Sequence, residues 1–424
     1  MRWKTEPWPH QFISWKRGIE QLSTRGRFAL LSETGTGKSK VILDLVAYYK
    51  ESNPTFQTLI VCPKSVLREW PTQIQEHSNL SYIVLEGSWM ERGAKLELNR
   101  DVYLLNYHGL KVIPQVFLDH TWDLVVLDES QWIKDFDSDI TKVGLLLGAK
   151  AHRRIISTGT PVTQSLEEAW SQWLFLDRGA TFGRSLPVFR SRYMKNVGRS
   201  FPKWVPRRGA KTKVWSRMVG SGVWYPKDRV LGLPPQTFSW RHCELEGDQL
   251  STYLYFLNRE DLPPVVMLNK LAQVTGGFVY EDEEGERNPR YCETNVKLKV
   301  LQELLGEIGP HHNVIILCRY VAEANLLKSI LASKSLPLEE WQNSVSPAYL
   351  IGTGGSLSVG LNLQKAHYLI YFSSSYSVHD RIQSEGRIWR GGQTRTCHYI
   401  DLIADGTTDE HIHRILAEGR FWNI

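Results

Sequence analysis

The sequence predicts an α/β protein in which parallel sheets are covered by helices, laid out as two domains with a basic insertion between them. Three observations carry this. Short apolar runs of strand length recur along the chain, each entering a turn and then a helix-period pattern, which is the alternation that builds parallel sheets. A length of 424 residues suits two domains plus an insertion. Charge is also segregated: residues 178–232 hold 14 Lys or Arg and one acid, Asp228, so they carry +13 and leave −7 on the rest of a chain whose net charge is +6. Segregation of that kind points to a polyanion held at one place, with a solvated basic loop as the plain alternative.

At 42% hydrophobic and 23% charged, the composition is that of an ordinary globular chain. No apolar run approaches the ~18 residues of a membrane span, and residues 1–7 lack the apolar core of a signal peptide. A chain acting without a membrane is therefore expected. Cys62, Cys243, Cys292, Cys318 and Cys397 show no ligand spacing. They suit a reducing compartment, with neither a zinc site nor a disulfide framework expected.

The first element is a helical pattern with Phe12, Trp15 and Ile19 on one face, preceded by Trp8-Pro9-His10-Gln11. Gln11 is either a surface residue or, ahead of a phosphate loop, an amide able to read an adenine edge. A buried strand over residues 28–31 then enters Ser32-Glu33-Thr34-Gly35-Thr36-Gly37-Lys38-Ser39. Gly35 and Gly37 permit a tight turn, and Thr34, Gly35, Thr36 and Gly37 form a loop whose N–H groups converge on phosphate at a helix N-terminus. Lys38 is placed to reach β- and γ-phosphates and Ser39 to ligate Mg²⁺. Ser32 stands where the usual pattern has its first glycine.

The run 58–62 is a second buried strand, stopped by Pro63. Lys64 and Ser65 follow at its C-terminal end, where both a phosphate contact and a helix cap are open to them. Residues 123–127 form another buried strand, ending in Asp128-Glu129-Ser130-Gln131. Two acids there are costly unless a cation or a reaction needs them; Asp128 suits Mg²⁺, and Glu129 suits polarising an attacking water. A further strand, 154–157, runs into Thr158-Gly159-Thr160-Pro161, a small-hydroxyl turn placed as a sensor between nucleotide and substrate.

Taken in order, Pro9-His10-Gln11, the loop 33–39, Val61-Cys62-Pro63, Asp128-Glu129-Ser130-Gln131-Trp132-Ile133-Lys134 and Ser157-Thr158-Gly159-Thr160-Pro161 resemble helicase superfamily two. Within it they are similar to the Swi/Snf-type DNA translocases. Gln383-Ser384-Glu385-Gly386-Arg387-Ile388-Trp389-Arg390-Gly391-Gly392-Gln393-Thr394 is similar to that family's sixth motif. The resemblance covers residues 8–416 and lies closest to compact phage or bacterial members and to fork-remodelling annealing helicases. Chromatin remodelling is the less expected activity, since 424 residues leave little room for the accessory modules of remodellers.

The resemblance implies two RecA-like lobes, 1–177 and 237–424, with 178–236 as a basic, aromatic-rich, DNA-binding insertion or linker. There, Arg207, Arg208, Lys211 and Lys213 suit phosphates. Trp204, with Phe201, Trp215, Trp224 and Tyr225, suits either base stacking or local packing. In the second lobe, an acidic run at 281–286 reads as a solvated hairpin. Arg319-Tyr320 after the strand 314–318 resembles the fourth motif, and Gly360-Leu361-Asn362-Leu363 ends the fifth, with Leu357-Ser358 where two glycines are usual. Strands at 367–372 and 398–403 complete a second parallel sheet, and Thr408-Asp409-Glu410 cap a last helix.

The resemblance implies a function as well as a fold. ATP and Mg²⁺ are the expected cofactors: Gln11, residues 34–39 and Gln393 contact the nucleotide, and Ser39 and Asp128 hold the metal. Lys38, Asp128, Glu129, Arg387 and Arg390 carry hydrolysis, the arginines reaching the γ-phosphate from the other lobe. Lys64, Ser65, Thr158, Arg319 and Asn362 join the basic segment in contacting nucleic acid. The expected activity is an ATP-driven translocase on double-stranded or branched DNA. Its alternatives are a strand-separating helicase with the insertion as wedge, or a scaffold that no longer hydrolyses ATP. A monomer is expected, in the cytoplasm of a bacterium or of a virus's host, or in a nucleus.

Overall fold

The computed structural model describes residues 3–112, 115–199, 201–283, 286–357 and 363–420. They divide into two compact units, one running to Leu231 and the other beginning at Gly232.

The first unit is a parallel sheet of seven strands: β1 (Arg27–Leu30), β2 (Thr58–Cys62), β3 (Tyr82–Val84), β4 (Val102–Asn106), β5 (Leu124–Asp128), β6 (Arg153–Ser157) and, after a two-stranded antiparallel hairpin of β7 (Met194–Asn196) and β8 (Trp204–Pro206), β9 (Gly222–Val223). The order is β3-β4-β2-β5-β6-β1-β9, every pairing parallel. Central strands are apolar on both faces because both faces are covered. In β5, Leu124 and Val126 pack with the helices Pro9–Arg25, Lys38–Ser52 and Trp70–His77 through Leu22, Val41, Ile42, Val46 and Ile74. Val125 and Leu127 pack on the other side with Leu147, Trp170 and Trp173. Alternation of side chains along the strand thus sorts one apolar run into two cores.

Residues 178–231 do not stand apart from this unit. Phe189, Val214 and Met218 enter the same core as Trp170 and Trp173, and β9 pairs with β1 at Ala29↔Gly222 and Leu30↔Val223. A Cβ on Gly222 would lie 1.7 Å from the Ala29 carbonyl oxygen, so only glycine lets this edge strand close on β1.

The second unit is a five-stranded parallel sheet of β10 (Gln236–Cys243), β13 (Val314–Cys318), β14 (Tyr349–Thr353), β15 (Tyr368–Tyr371) and β16 (Cys397–Ala404), in the order β10-β16-β15-β13-β14. A separate antiparallel hairpin joins β11 (Phe278–Glu283) to β12 (Glu286–Tyr291) where the acidic run predicts one. Two parallel sheets in tandem, each wrapped by helices, are the two RecA-like lobes. Each carries its motifs at the C-terminal ends of its strands, where ligands of open parallel sheets bind.

Candidate functional site

β1 leads into the phosphate loop, and the helix Lys38–Ser52 starts from it. Gly35 and Gly37 adopt φ of 85° and 80°, the left-handed region that glycine enters without steric cost. The helix Pro9–Arg25 closes over this loop. His10 Nε2 lies 2.8 Å from the Thr36 carbonyl oxygen, and Gln11 Nε2 reaches the Thr36 and Gly37 carbonyls at 3.3 and 3.5 Å. Gln11 Oε1 accepts from the Trp8 N–H at 2.8 Å, so the residue expected at an adenine edge here also braces the loop. A Cβ on Gly37 would come within 2.1 Å of Gln11 Nε2. Lys38 Nζ donates to the Glu33 carbonyl at 3.3 Å, and Thr36 Oγ1 donates to the same oxygen at 2.8 Å. The Glu33 carboxyl, raised above its usual range by burial, accepts from the Lys227 N–H at 3.1 Å, tying the end of the basic segment to the loop.

Asp128 is the last residue of β5, and both it and Glu129 are buried. Burial first, and then the Glu129 charge, pushes the Asp128 carboxyl up to about 6, while the Lys38 ammonium pulls it down. Two adjacent buried carboxylates near one ammonium call for a further cation, and Mg²⁺ characteristically takes one or two carboxylates together with substrate phosphates. Asp128 and Ser39 therefore fit the metal, and the glycine loop fits the phosphates. Glu129 has φ 51°, a left-handed conformation that non-glycine residues seldom adopt outside turns and functional sites.

From Glu129 a chain of side chains runs to the turn after β6. Gln131 Nε2 donates to Glu129 Oε2 at 2.9 Å, and Thr158 Oγ1 donates to Gln131 Oε1 at 2.6 Å. Thr158 is fully buried, and its N–H donates to the Leu30 carbonyl at the end of β1. Gly159 lies against the phosphate loop, where an added Cβ would be 3.1 Å from the Thr34 nitrogen. Ser130 Oγ donates to Gln172 Oε1 at 2.7 Å, and Gln172 Nε2 donates to the Pro161 carbonyl at 2.6 Å. Nothing in the sequence pattern marks Gln172; its position inside a core-spaced helix hides it.

Lys64 is exposed and Ser65 partly so, in the short helix Lys64–Leu67. Pro63 is the cap residue and no side chain caps this helix, so the cap reading of Ser65 falls away. Arg207, Arg208, Lys211 and Lys213 are all exposed. The tryptophans differ from the base-stacking expectation. Trp204, Trp215 and Trp224 are partly buried against the first unit's core, with Arg190 over the Trp204 ring at 5.3 Å and Trp215 edge-on to Trp224 at 5.6 Å. Phe201, by contrast, is 85% exposed.

In the second unit, Arg387 lies on the helix Val378–Ile388, its Nη2 donating to Gln383 Oε1 at 3.1 Å; Arg390 follows just beyond the helix. Gln393 is buried with both ends of its amide committed to backbone. Its Nε2 donates to the Gln364, Ala366 and Ile388 carbonyls at 3.0–3.1 Å, and its Oε1 accepts from the Thr394 and Arg395 N–H groups. Beneath the helix, Arg381 binds Asp401 with both Nη atoms, at 2.5 and 2.7 Å, and Glu385 at 2.6 Å, with Tyr371 3.5 Å from its guanidinium. Arg319 follows β13 in a cavity of about 150 Å³ shared with Gly354, Ser373, Ser375 and Ser377, and its buried Nη1 has no hydrogen-bond partner among the described residues. Asn362, with the rest of residues 358–362, lies outside the described residues. No described helix is long and apolar enough to cross a membrane.

Known proteins resemble this chain along nearly its whole length. The DNA repair and recombination protein RAD54-like of Drosophila pseudoobscura pseudoobscura is 23% identical over 92% of the chain and 59% of its own length. A protein of Mycoplasma pneumoniae described as an uncharacterized ATP-dependent helicase is 22% identical over 96% of the chain and 40% of its own length. The chain thus spans about half the length of these relatives. In fold, the Sulfolobus solfataricus SWI2/SNF2 ATPase core, solved in complex with dsDNA, superposes with a TM-score of 0.51 at 21% identity, covering 99% of this chain and 92% of that one. The family model described as the SNF2-related domain matches residues 10–279, well over half of the chain, and the chain belongs to that family.

Proposed function

We propose that this chain is a DNA-stimulated ATPase that couples hydrolysis to movement along duplex or branched DNA. The observation that carries it is the buried Asp128–Glu129 pair, set beside Lys38 and joined through Gln131 to the Thr158 turn. ATP with Mg²⁺ supplies the phosphoanhydride whose cleavage drives the cycle. Ser39 and Asp128 would hold the metal, residues 34–38 would cradle the phosphates, and Glu129 would take a proton from the attacking water. Arg387 and Arg390 are assigned to the charge that develops on the γ-phosphate, a role typically worth ~10³–10⁵ in rate.

The turn that senses the nucleotide carboxylates through Thr158 also packs on the phosphate loop through Gly159, so a change at either is felt by the other. Exposed Arg207, Arg208, Lys211 and Lys213 would track phosphates of the nucleic acid, and Arg319, in the cavity after β13, would meet another in the second unit. In support, the neighbour of like fold is an ATPase core solved with dsDNA.

The test is ATPase rate with single strand, blunt duplex, fork and four-way junction, together with triplex displacement as a measure of translocation. Stimulation by DNA and loss of activity in Lys38→Ala and Glu129→Gln are expected. A rate indifferent to every DNA would overturn the reading.

A further inference from the structure

The β7–β8 hairpin has a feature that hydrolysis and phosphate tracking leave unexplained. Its connection presents Phe201 to solvent at 85% exposure, with Val197 at 48% beside it. Arg199 and Lys203 flank the phenyl ring in sequence, Lys195 precedes them, and no acid occurs between Asp177 and Asp228. An apolar tip on a segment whose charged residues from 178 to 227 are all cationic suits a ligand that is anionic along its backbone and flat and apolar on its exposed faces. An unpaired or terminal base pair of DNA has that chemistry.

The two arms that carry the tip are tied to each other. Asn196 Oδ1 accepts from the Gly198 and Lys203 N–H groups at 3.0 and 2.9 Å, and the Val197 N–H donates to the Lys203 carbonyl at 2.9 Å. Gly198 passes beneath Phe201 so closely that a Cβ there would lie 1.8 Å from the Phe201 carbonyl oxygen. The base of the hairpin is equally fixed. Tyr193 and Met194 are buried in the core, and the Arg207 N–H donates to the Tyr193 carbonyl at 2.9 Å. Arg190 stacks over Trp204 at 5.3 Å and grips Glu167 through two hydrogen bonds of 3.0 and 2.7 Å. Glu167 begins the helix that also carries Gln172, the residue joining Ser130 to Pro161. The base of the hairpin is therefore tied to the same helix whose Gln172 binds Ser130, next to the Asp128–Glu129 pair.

We propose that Phe201 is a base-stacking pin that engages DNA where the two strands part, giving the protein a preference for forks and junctions over continuous duplex. The assignment rests on the proposed DNA-directed ATPase function and adds to it which form of DNA is recognised and by what. Trp204, Trp215 and Trp224 build the mount, and the cations position the backbone.

The experiment compares the full chain with Phe201→Ala and Phe201→Trp in equilibrium binding, without nucleotide, to a fork and a blunt duplex of equal length. The fork carries 2-aminopurine at its junction. The wild type should bind the fork about tenfold more tightly than the blunt duplex and should quench the probe, as stacking on one base predicts. Phe201→Ala should lose both preference and quenching, and Phe201→Trp should keep them. The salt slope should be the same in all three, because the ring neutralises no phosphate. Unchanged thermal midpoints report intact folding, as expected for an exposed side chain. A wild type without fork preference, or a Phe201→Ala variant that keeps preference and quenching, overturns the pin. Failure of the broader reading is seen separately, as an ATPase that no DNA stimulates.

Discussion

Thr158 donates its hydroxyl to Gln131 at 2.6 Å, and Gln131 passes the constraint to Glu129 at 2.9 Å. Glu129 is held in a left-handed conformation that its neighbours must enforce, so this relay is part of what fixes the carboxylate in place. Thr158→Val removes this hydrogen bond, and the one Thr158 Oγ1 accepts from the Thr160 N–H, at nearly constant volume. The turnover number for ATP should fall by about tenfold or more, with KM little changed, since positioning errors near 1 Å cost up to ~10² in rate. Thr158→Ser keeps the hydroxyl and should stay near wild type. Steady-state kinetics on the three proteins decide it, and wild-type turnover in the valine variant would remove the relay from the mechanism.

Asp128 makes the free protein less stable than it could be. Its pKa is raised from 3.8 to about 6, so the folded state binds more protons than the unfolded chain between these values. For a raised acid the sign is the reverse of the usual carboxylate: stability falls as pH rises through that window and the deficit is full above it. Asp128→Asn should therefore raise the first unit's melting temperature at pH 7, with the gain shrinking as pH falls toward 4. Thermal melts without nucleotide at both pH values check this; a gain independent of pH would mean that packing, not charge, sets it.

Much of this arrangement is legible in the sequence because it is local. Runs such as residues 314–318 are apolar on both faces, and Gly35 and Gly37 mark the loop because few other residues take their conformation. Asp128 advertises itself as a charge ending an apolar strand. What stays hidden depends on partners distant in the chain. β9 is only two residues long and has no period to read. β10 is an edge strand of mixed exposure, with no apolar run to mark it as a strand. For the tryptophans of the basic segment, base stacking and local packing look alike in sequence, and only the core they cover shows the packing. Gln393 looks like a polar contact for a ligand but spends its amide on this protein's own buried groups, and Gln172, which no pattern marks, does the same.

His367 should make the second unit sensitive to acid. It is buried beside His312, Tyr368 and His398, with ring centroids 5.0, 4.7 and 6.3 Å away. Burial first, and then the neighbouring His312, Arg395 and His398, pushes its pKa from 6.5 down to about 4. The unfolded chain thus binds more protons between these values, so the contribution is complete above 6.5 and is lost as pH falls toward 4. His367→Phe retains a ring and removes the titration. Relative to wild type it should gain about 2 kcal/mol between pH 7 and pH 5. Urea denaturation at the two pH values measures the difference, and parallel losses in both proteins would assign the acid sensitivity elsewhere.

Arg381 should matter to stability more than either arginine assigned to hydrolysis. Burial opposes its charge, but Tyr371, Asp401 and Glu385 hold its pKa well above the usual value. Arg381→Met would leave Asp401 and Glu385 buried without this cation, a loss that typically costs about 3–5 kcal/mol. Arg381→Lys keeps the charge but cannot reproduce the paired contacts to Asp401, so it should fall between wild type and Met. Asp401→Asn should also destabilise, and combined with Arg381→Met it should cost less than the two single changes summed, because the double variant removes charge of both signs. Arg387 sits on the same helix, one and a half turns further along, so ATPase activity should decline in step with the fraction folded. Denaturation of the four variants, read with a double-mutant cycle, tests this: strict additivity would mean that Arg381 and Asp401 act independently.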